Sequence, residues 1–180
     1  MIRNSIGILF LGLLSVFVIS LKPDYADTWE CLEVIGVAID EKNEFVDGVE
    51  VRLYKKNEEV ESLVTTNVTY HDHNFKFMLD ANENYTIEIL KDGYVKRSVY
   101  FSTSLPASVK SKMHFSFGFE VIMFKEKKGV DDFYLDFPVA LVSYNAKTKV
   151  FENNYNYTNH IKKKIKESEK NTNLKTTFSK

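Results

Sequence analysis

The sequence predicts an all-β sandwich followed by a short C-terminal helix. Short apolar runs, most of them alternating with polar residues, recur between residues 34 and 142, and turn-forming residues separate them, as an all-β sandwich requires. Aromatic residues make up 14% of the chain, with 14 Phe and 10 Tyr, which favours strands packed face to face. Only the last thirty or so residues, about a sixth of the chain, show a helical repeat instead.

Each predicted strand carries one apolar face and one polar face, or an apolar run bounded by turn residues. The strands are predicted at residues 34–39, 49–54, 74–79, 85–90, 99–101, 115–123 and 137–142. Polar groups at 41–44, 55–59 and 80–84 predict hairpin loops. Gly118 predicts a bulge, and Pro138 belongs at the start of its strand or on a sheet edge, because proline cannot donate a ladder hydrogen bond.

The C-terminal segment, residues 152–180, is predicted to be a basic and partly disordered helical tail. Tyr157, Ile161 and Ile165 fall four residues apart and form a narrow apolar stripe among lysines. Asn156 or Thr158 is the predicted N-cap, and the residues beyond Lys170 are expected to fray. We expect that the helix docks on the sandwich through this stripe or is surrounded by solvent. The alternative is that the helix lies on an anionic surface or partner.

Charge is distributed unevenly along the chain. Residues 27–146 hold 13 Lys and Arg against 21 Asp and Glu, a net charge of −8, whereas residues 147–180 have a net charge of +6. A nucleic-acid-binding domain needs a clustered basic face, so the acidic body argues against nucleic acid as a partner.

The first 26 residues have the layout of a secretory signal peptide. Arg3 precedes an apolar run at residues 6–19, which is short for a membrane span, and polar residues follow it. Cleavage is expected after Ser20 or Ala26, and the alternative is an uncleaved N-terminal anchor. Cys31, the sole cysteine, is expected to be buried beside the first strand rather than paired with another chain.

Four features between residues 35 and 97 carry a family resemblance. They are Gly36 in an opening strand, Gly48 before an alternating strand, the Phe75-x-Phe77 strand, and a closing Gly93-Tyr94. This pattern resembles the carboxypeptidase regulatory-like domain, found in many exported bacterial proteins. The resemblance implies an antiparallel Greek-key sandwich of the transthyretin (prealbumin) type at residues 27–104, with the strands of residues 105–151 packed on it or extending it. It also implies an accessory module without catalytic residues.

Two histidines are the candidate metal ligands. If residues 71–73 form a strand, His71 and His73 share one face and could bind one metal ion; if they form a loop, they have no such role. The Gly-x-Ser-x-Gly and His-Glu-x-x-His motifs are missing. We therefore expect a protein that is not an enzyme and uses no cofactor, with a small hydrolase acting through His71 or His73 as a remaining hypothesis.

Four aromatic residues are the candidate ligand-binding groups: Trp29, Tyr54, Tyr70 and Tyr100. Flat rings stack on the apolar faces of pyranosides, although scattered rings more often serve core or edge packing. The leading hypothesis is a non-catalytic binding or scaffolding protein of the bacterial envelope, located in the periplasm, at the outer membrane or secreted. The alternative is a carbohydrate-binding module. Expected partners are envelope proteins or glycans, with membrane contact only through an uncleaved N-terminus or the basic tail.

Overall fold

The computed structural model describes residues 29–57, 60–109, 112–126 and 136–178, with only the backbone described from residue 168 onward. The predicted signal peptide at residues 1–26 lies outside these ranges. The described elements are β1 (Glu30–Ile39), β2 (Glu50–Asn57), β3 (Val60–Val68), β4 (Asn74–Asp80), β5 (Asn84–Leu90), β6 (Arg97–Ser102), β7 (Phe115–Ile122), β8 (Ala140–Asn145), β9 (Val150–Asn153) and α1 (Tyr155–Phe178). In these ranges, no helix combines the length and hydropathy needed to cross a membrane.

The strands form two sheets, and the predicted all-β fold with a C-terminal helix is confirmed. One sheet has the order β4-β1-β7, and the other has the order β3-β2-β5-β6-β8-β9. The prediction of purely antiparallel sheets is wrong, because β1 pairs with β7 and β6 pairs with β8 in parallel. Parallel pairing needs a crossover of a dozen residues or more, and long stretches of chain separate the two strands of each pair.

The core lies between the inner faces of the two sheets. In β4, the side chains of Phe75, Phe77 and Leu79 are buried while their neighbours are not, and β5 alternates in the same way. Phe77 is 5% exposed and Ile87 is fully buried, as their mid-strand positions predict. Cys31 is also buried in this core, which confirms its expected place.

Gly36 is required by the close packing of β1 on β4. A Cβ atom at this position would lie 2.1 Å from the Phe75 ring, well inside van der Waals contact. Gly48 has a different role, because its φ of 63° lies in the left-handed region that glycine adopts without strain. These two glycines therefore mark a close approach and a turn.

Two strands, one loop and one bulge differ from the predictions. β3 and β9 were not predicted, and the predicted loop at residues 55–59 partly belongs to β2. Gly118 causes no bulge, because the register of β7 on β1 is continuous from Phe115 to Ile122. The bulge within the larger sheet lies instead where β3 passes Leu53 and Tyr54 of β2.

Helix α1 begins earlier and runs further than predicted. Asn154 caps it, since its Oδ1 accepts a hydrogen bond from the Tyr157 amide at 3.1 Å, so neither Asn156 nor Thr158 is the cap. The backbone is helical to Phe178, beyond the expected fraying point. Ile161 is 5% exposed and α1 contacts β8, so the apolar stripe docks on the sandwich.

Candidate functional site

The outer face of the six-stranded sheet carries two of the four predicted aromatic residues. Tyr54 of β2 is paired with Thr86 of β5, and Thr86 is paired with Tyr100 of β6. The three side chains therefore form one row across the sheet. Because adjacent strands are about 4.8 Å apart, the two tyrosines are separated by roughly 10 Å.

Residue alternation directs this row away from the core. Leu53 precedes Tyr54, and Val99 and Phe101 flank Tyr100; all three of these neighbours are buried. Successive side chains of a strand point to opposite faces, so both tyrosines face outward, where each is half-buried. Leu63 of β3 and Leu141 of β8 extend the row at its two ends. We call Tyr54, Thr86 and Tyr100, together with the polar rows on either side, the tyrosine face.

A polar row lies on each side of the tyrosines. On one side, Arg52 is paired with Glu88 across the sheet, and the Arg52 Nε atom lies 2.7 Å from Glu50 Oε1. On the other side, Asn84 is paired with Ser102, which is paired in turn with Ser143. The face thus places flat rings between hydrogen-bonding groups.

The local electrostatics hold these groups in defined states. Partial burial raises the pKa of Tyr100 above its usual value, so its phenol is neutral and donates a hydrogen bond of 2.8 Å to Asn84 Oδ1. The hydrogen bond to Glu50, together with a smaller contribution from Tyr54, raises the pKa of Arg52. The row therefore contains the neutral Tyr100 phenol, and the polar row beside it contains the permanently charged Arg52 guanidinium.

The other two aromatic candidates lie elsewhere. Trp29 is half-buried against the core, and its Nε1 donates a 3.1 Å hydrogen bond to the carbonyl of Met113, so its ring serves packing. Tyr70 is 64% exposed in the turn between β3 and β4, and its carbonyl accepts a hydrogen bond from the His73 amide. Neither residue belongs to the row formed by Tyr54 and Tyr100.

The two candidate metal ligands do not share a strand face. His71 and His73 lie in the turn before β4, and His73 has a φ of 55°. The His73 Nδ1 atom lies 2.6 Å from Asp47 Oδ1, and its ring stacks on Phe45 with centroids 4.6 Å apart. His73 therefore joins the β1–β2 loop to the β3–β4 turn. In the ranges given above, no three residues of the types His, Cys, Asp and Glu are grouped as metal ligands.

Alternation could have identified Tyr54 and Tyr100 as outward-facing, because each stands next to aliphatic or aromatic residues that face the core. The sequence does not show the register of the strands, that is, which residues of neighbouring strands lie opposite each other. The two residues are 46 positions apart, and only the pairing of β2, β5 and β6 brings them into one row. Thr86 and the flanking Asn84 were missed for the same reason.

No family model matches the chain, and no curated protein matches it. Among solved structures, it is similar to catechol 1,2-dioxygenase of Acinetobacter radioresistens, with a TM-score of 0.38 and 12% identity over 54% of this chain and 52% of the other. It is also similar to hydroxyquinol 1,2-dioxygenase of Pseudomonas putida DLL-E4, with a TM-score of 0.38 and 14% identity over 69% of each chain. The chain spans about half the length of the first of these enzymes.

These neighbours correct one prediction. From the missing motifs we expect a protein that is not an enzyme, whereas the two solved structures named above are those of enzymes, so that prediction is withdrawn. The TM-scores lie below 0.5 and the identities below 15%, so the likeness carries no argument about a reaction.

Proposed function

We propose that this chain is an exported β-sandwich protein of the bacterial envelope that binds an extended glycan on its tyrosine face. The observation that carries the proposal is the single row formed by Tyr54, Thr86 and Tyr100 on the outer surface of the larger sheet. Two outward rings roughly 10 Å apart can stack on different sugars of one chain. The flanking amide, hydroxyl and guanidinium groups are suited to the sugar hydroxyls.

The proposal includes the export route and the family type inferred from the sequence. The apolar run at residues 6–19 supports export, and the glycine and Phe-x-Phe pattern supports a transthyretin-like sandwich of the carboxypeptidase regulatory-like kind. Envelope glycans would be accessible to a protein exported in this way.

The shape of the face narrows the class of ligand. A sheet surface is open and shallow, so it suits a long, flat chain of sugars better than a single sugar, which binds in enclosed pockets. β-1,4-linked chains of glucose or N-acetylglucosamine present alternating flat sugar faces along an extended axis. We therefore expect hexasaccharides of these types to bind more tightly than the corresponding monosaccharides.

Isothermal titration calorimetry with chitohexaose and cellohexaose tests the proposal. Each of the substitutions Tyr54→Ala and Tyr100→Ala should weaken binding at least about tenfold, or about 1.4 kcal/mol, because aromatic contacts dominate such surfaces. Tyr70→Ala is the matched control, since it removes an exposed tyrosine outside the row. Equal losses for all three variants, or no binding of either hexasaccharide to the native protein, would reject the proposal.

A further inference from the structure

A second, unrelated site is a cleft of about 530 Å³ between the two sheets and helix α1. Its walls include Phe117 and Phe119 of β7, Val142 of β8, and Ile161 and Ile165 of α1. A cleft of this size is within the range of sites that bury small organic ligands. It opens on the inner side of the larger sheet, whereas the tyrosine face is on the outer side.

The cleft follows from the unequal sizes of the sheets. The smaller sheet ends at β7, which covers the inner side of β8 and β9 at its start, where the Phe115 ring packs on Tyr144 and Phe151. Further along β7, the cleft lies between Phe117, Phe119 and Val142 of β8. Helix α1 docks there through Ile161, but it leaves two inward-facing rings of β7 partly accessible to solvent. Phe117 and Phe119 point toward the core side of β7 and are nevertheless only half-buried. A close-packed interior would bury both rings.

Basic groups of the helix flank this apolar space. Lys162 and Lys166 are four residues apart on α1, so they lie on the same side of the helix, and both line the cleft. Among the side chains of α1 that the structure describes, Lys163 and Lys164 form ion pairs with Glu167 instead of lining the cleft.

The remaining charged lining residues are Arg97, Glu41 and Glu120. Arg97 is 3% exposed, and its guanidinium lies over the Phe124 ring, 4.7 Å from the centroid. Glu41 follows β1 and Glu120 belongs to β7, whereas Lys162 and Lys166 both belong to α1. The helix side of the cleft is therefore its basic side, and it favours an anionic group next to the apolar walls.

We propose that this cleft binds a fatty-acid-like carboxylate. Its hydrocarbon chain would lie between Phe117, Phe119 and Ile165, and its carboxylate would lie at Lys162 and Lys166. Apolar burial supplies the affinity of such a ligand, and the paired ammonium groups select its charge. The site is independent of glycan binding, because the two sites share no residue.

Titration calorimetry of the full chain with sodium decanoate, decylammonium chloride and decanol tests this assignment. Decanoate should bind at least tenfold more tightly than decylammonium, with decanol between them. Lys162→Gln/Lys166→Gln should reduce decanoate affinity at least tenfold, whereas Lys163→Gln/Lys164→Gln should change it less than twofold. Equal affinities for the three probes, or equal effects of the two double variants, would overturn the proposal.

A substitution that fills the cleft tests whether the ligand binds there. Ile165→Trp adds a large ring from the helix side and should abolish decanoate binding while the melting temperature stays within a few degrees of native. The Tyr54→Ala/Tyr100→Ala variant should bind decanoate as the native protein does. Unchanged decanoate binding by the folded Ile165→Trp variant would place the ligand elsewhere and refute the assignment.

Discussion

At the scale of single residues, Thr103 joins the end of β6 to the β4–β5 turn. Its side chain is fully buried, and its hydroxyl donates a hydrogen bond to the Asp80 carbonyl at 2.6 Å and accepts one from the Glu83 amide at 2.9 Å. The Asn82 amide bonds to the Thr103 carbonyl at 2.9 Å. One threonine thus satisfies several buried polar groups of the turn.

Thr103→Val should therefore destabilise the protein by about 1 to 3 kcal/mol, because the shape is kept while buried backbone groups lose their partner. Urea unfolding followed by circular dichroism measures the change. Thr66→Val on the exposed strand β3 is the matched control and should have an effect below about 0.5 kcal/mol. Similar changes for the two variants would contradict the role given to Thr103.

The buried thiol of Cys31 should make stability fall in alkaline solution. Burial raises the pKa of Cys31 from 9.0 to about 11, so the thiol is neutral in both states below pH 9. Between pH 9 and 11, the unfolded chain ionises first, which favours unfolding. The stability associated with the neutral thiol is thus lost as the pH rises through this window.

Comparison of the native protein with Cys31→Ala isolates this contribution from that of the tyrosines. From pH 8.5 to pH 11, the native protein should lose about 1 to 3 kcal/mol more unfolding free energy than the variant. Chemical denaturation at each pH provides the measurement. Parallel pH profiles for the two proteins would show that the thiol does not titrate as its burial requires.

At the scale of elements, strands in which apolar and polar residues alternate clearly could be predicted, whereas β3 and β9 could not. The buried faces of β4 and β5 repeat every second residue, which is the signal that sequence patterns carry. In β3, all nine residues are exposed, so burial imposes no alternation on its sequence. β9 has only four residues, too few for a period to be recognised.

Strand β3 is an exposed edge, with Val60 66% and Leu63 54% exposed. Such an edge offers unpaired backbone groups to another chain, and proteins protect it with charges and bulges. β3 has both, since Glu61 lies near its start and its register shifts beside Tyr54 of β2. These features explain how a strand of apolar and small polar residues can lie at the sheet margin.

Helix α1 is held to the sandwich by Ile161, the only residue of the predicted stripe that is buried. Ile161→Ala should lower the unfolding free energy by about 2 kcal/mol, because it removes buried methyl groups and leaves a cavity. Thermal unfolding of this variant beside Lys163→Ala measures the effect. If the isoleucine variant melts no lower than the lysine variant, the helix is not docked through this residue.

At the scale of the whole molecule, the sequence predicts which face of a sheet a side chain is on, but it does not predict how the strands pair. Alternation places Tyr54 and Tyr100 outward, but the row that joins them depends on how three strands pair. The parallel pairs β1–β7 and β6–β8 are long-range contacts that no local pattern specifies. The same limit applies to the cleft, which arises because three strands face six.

The central claim is that Tyr54 and Tyr100 together form a glycan-binding surface. Nuclear magnetic resonance spectroscopy of protein labelled at its tyrosine rings, titrated with chitohexaose and cellohexaose, tests it most directly. With one of these chains, the ring signals of Tyr54 and Tyr100 should shift together along one saturation curve, while those of Tyr70 stay unchanged. Shifts confined to Tyr70, or no tyrosine shift at a saturating concentration of either chain, would contradict the account.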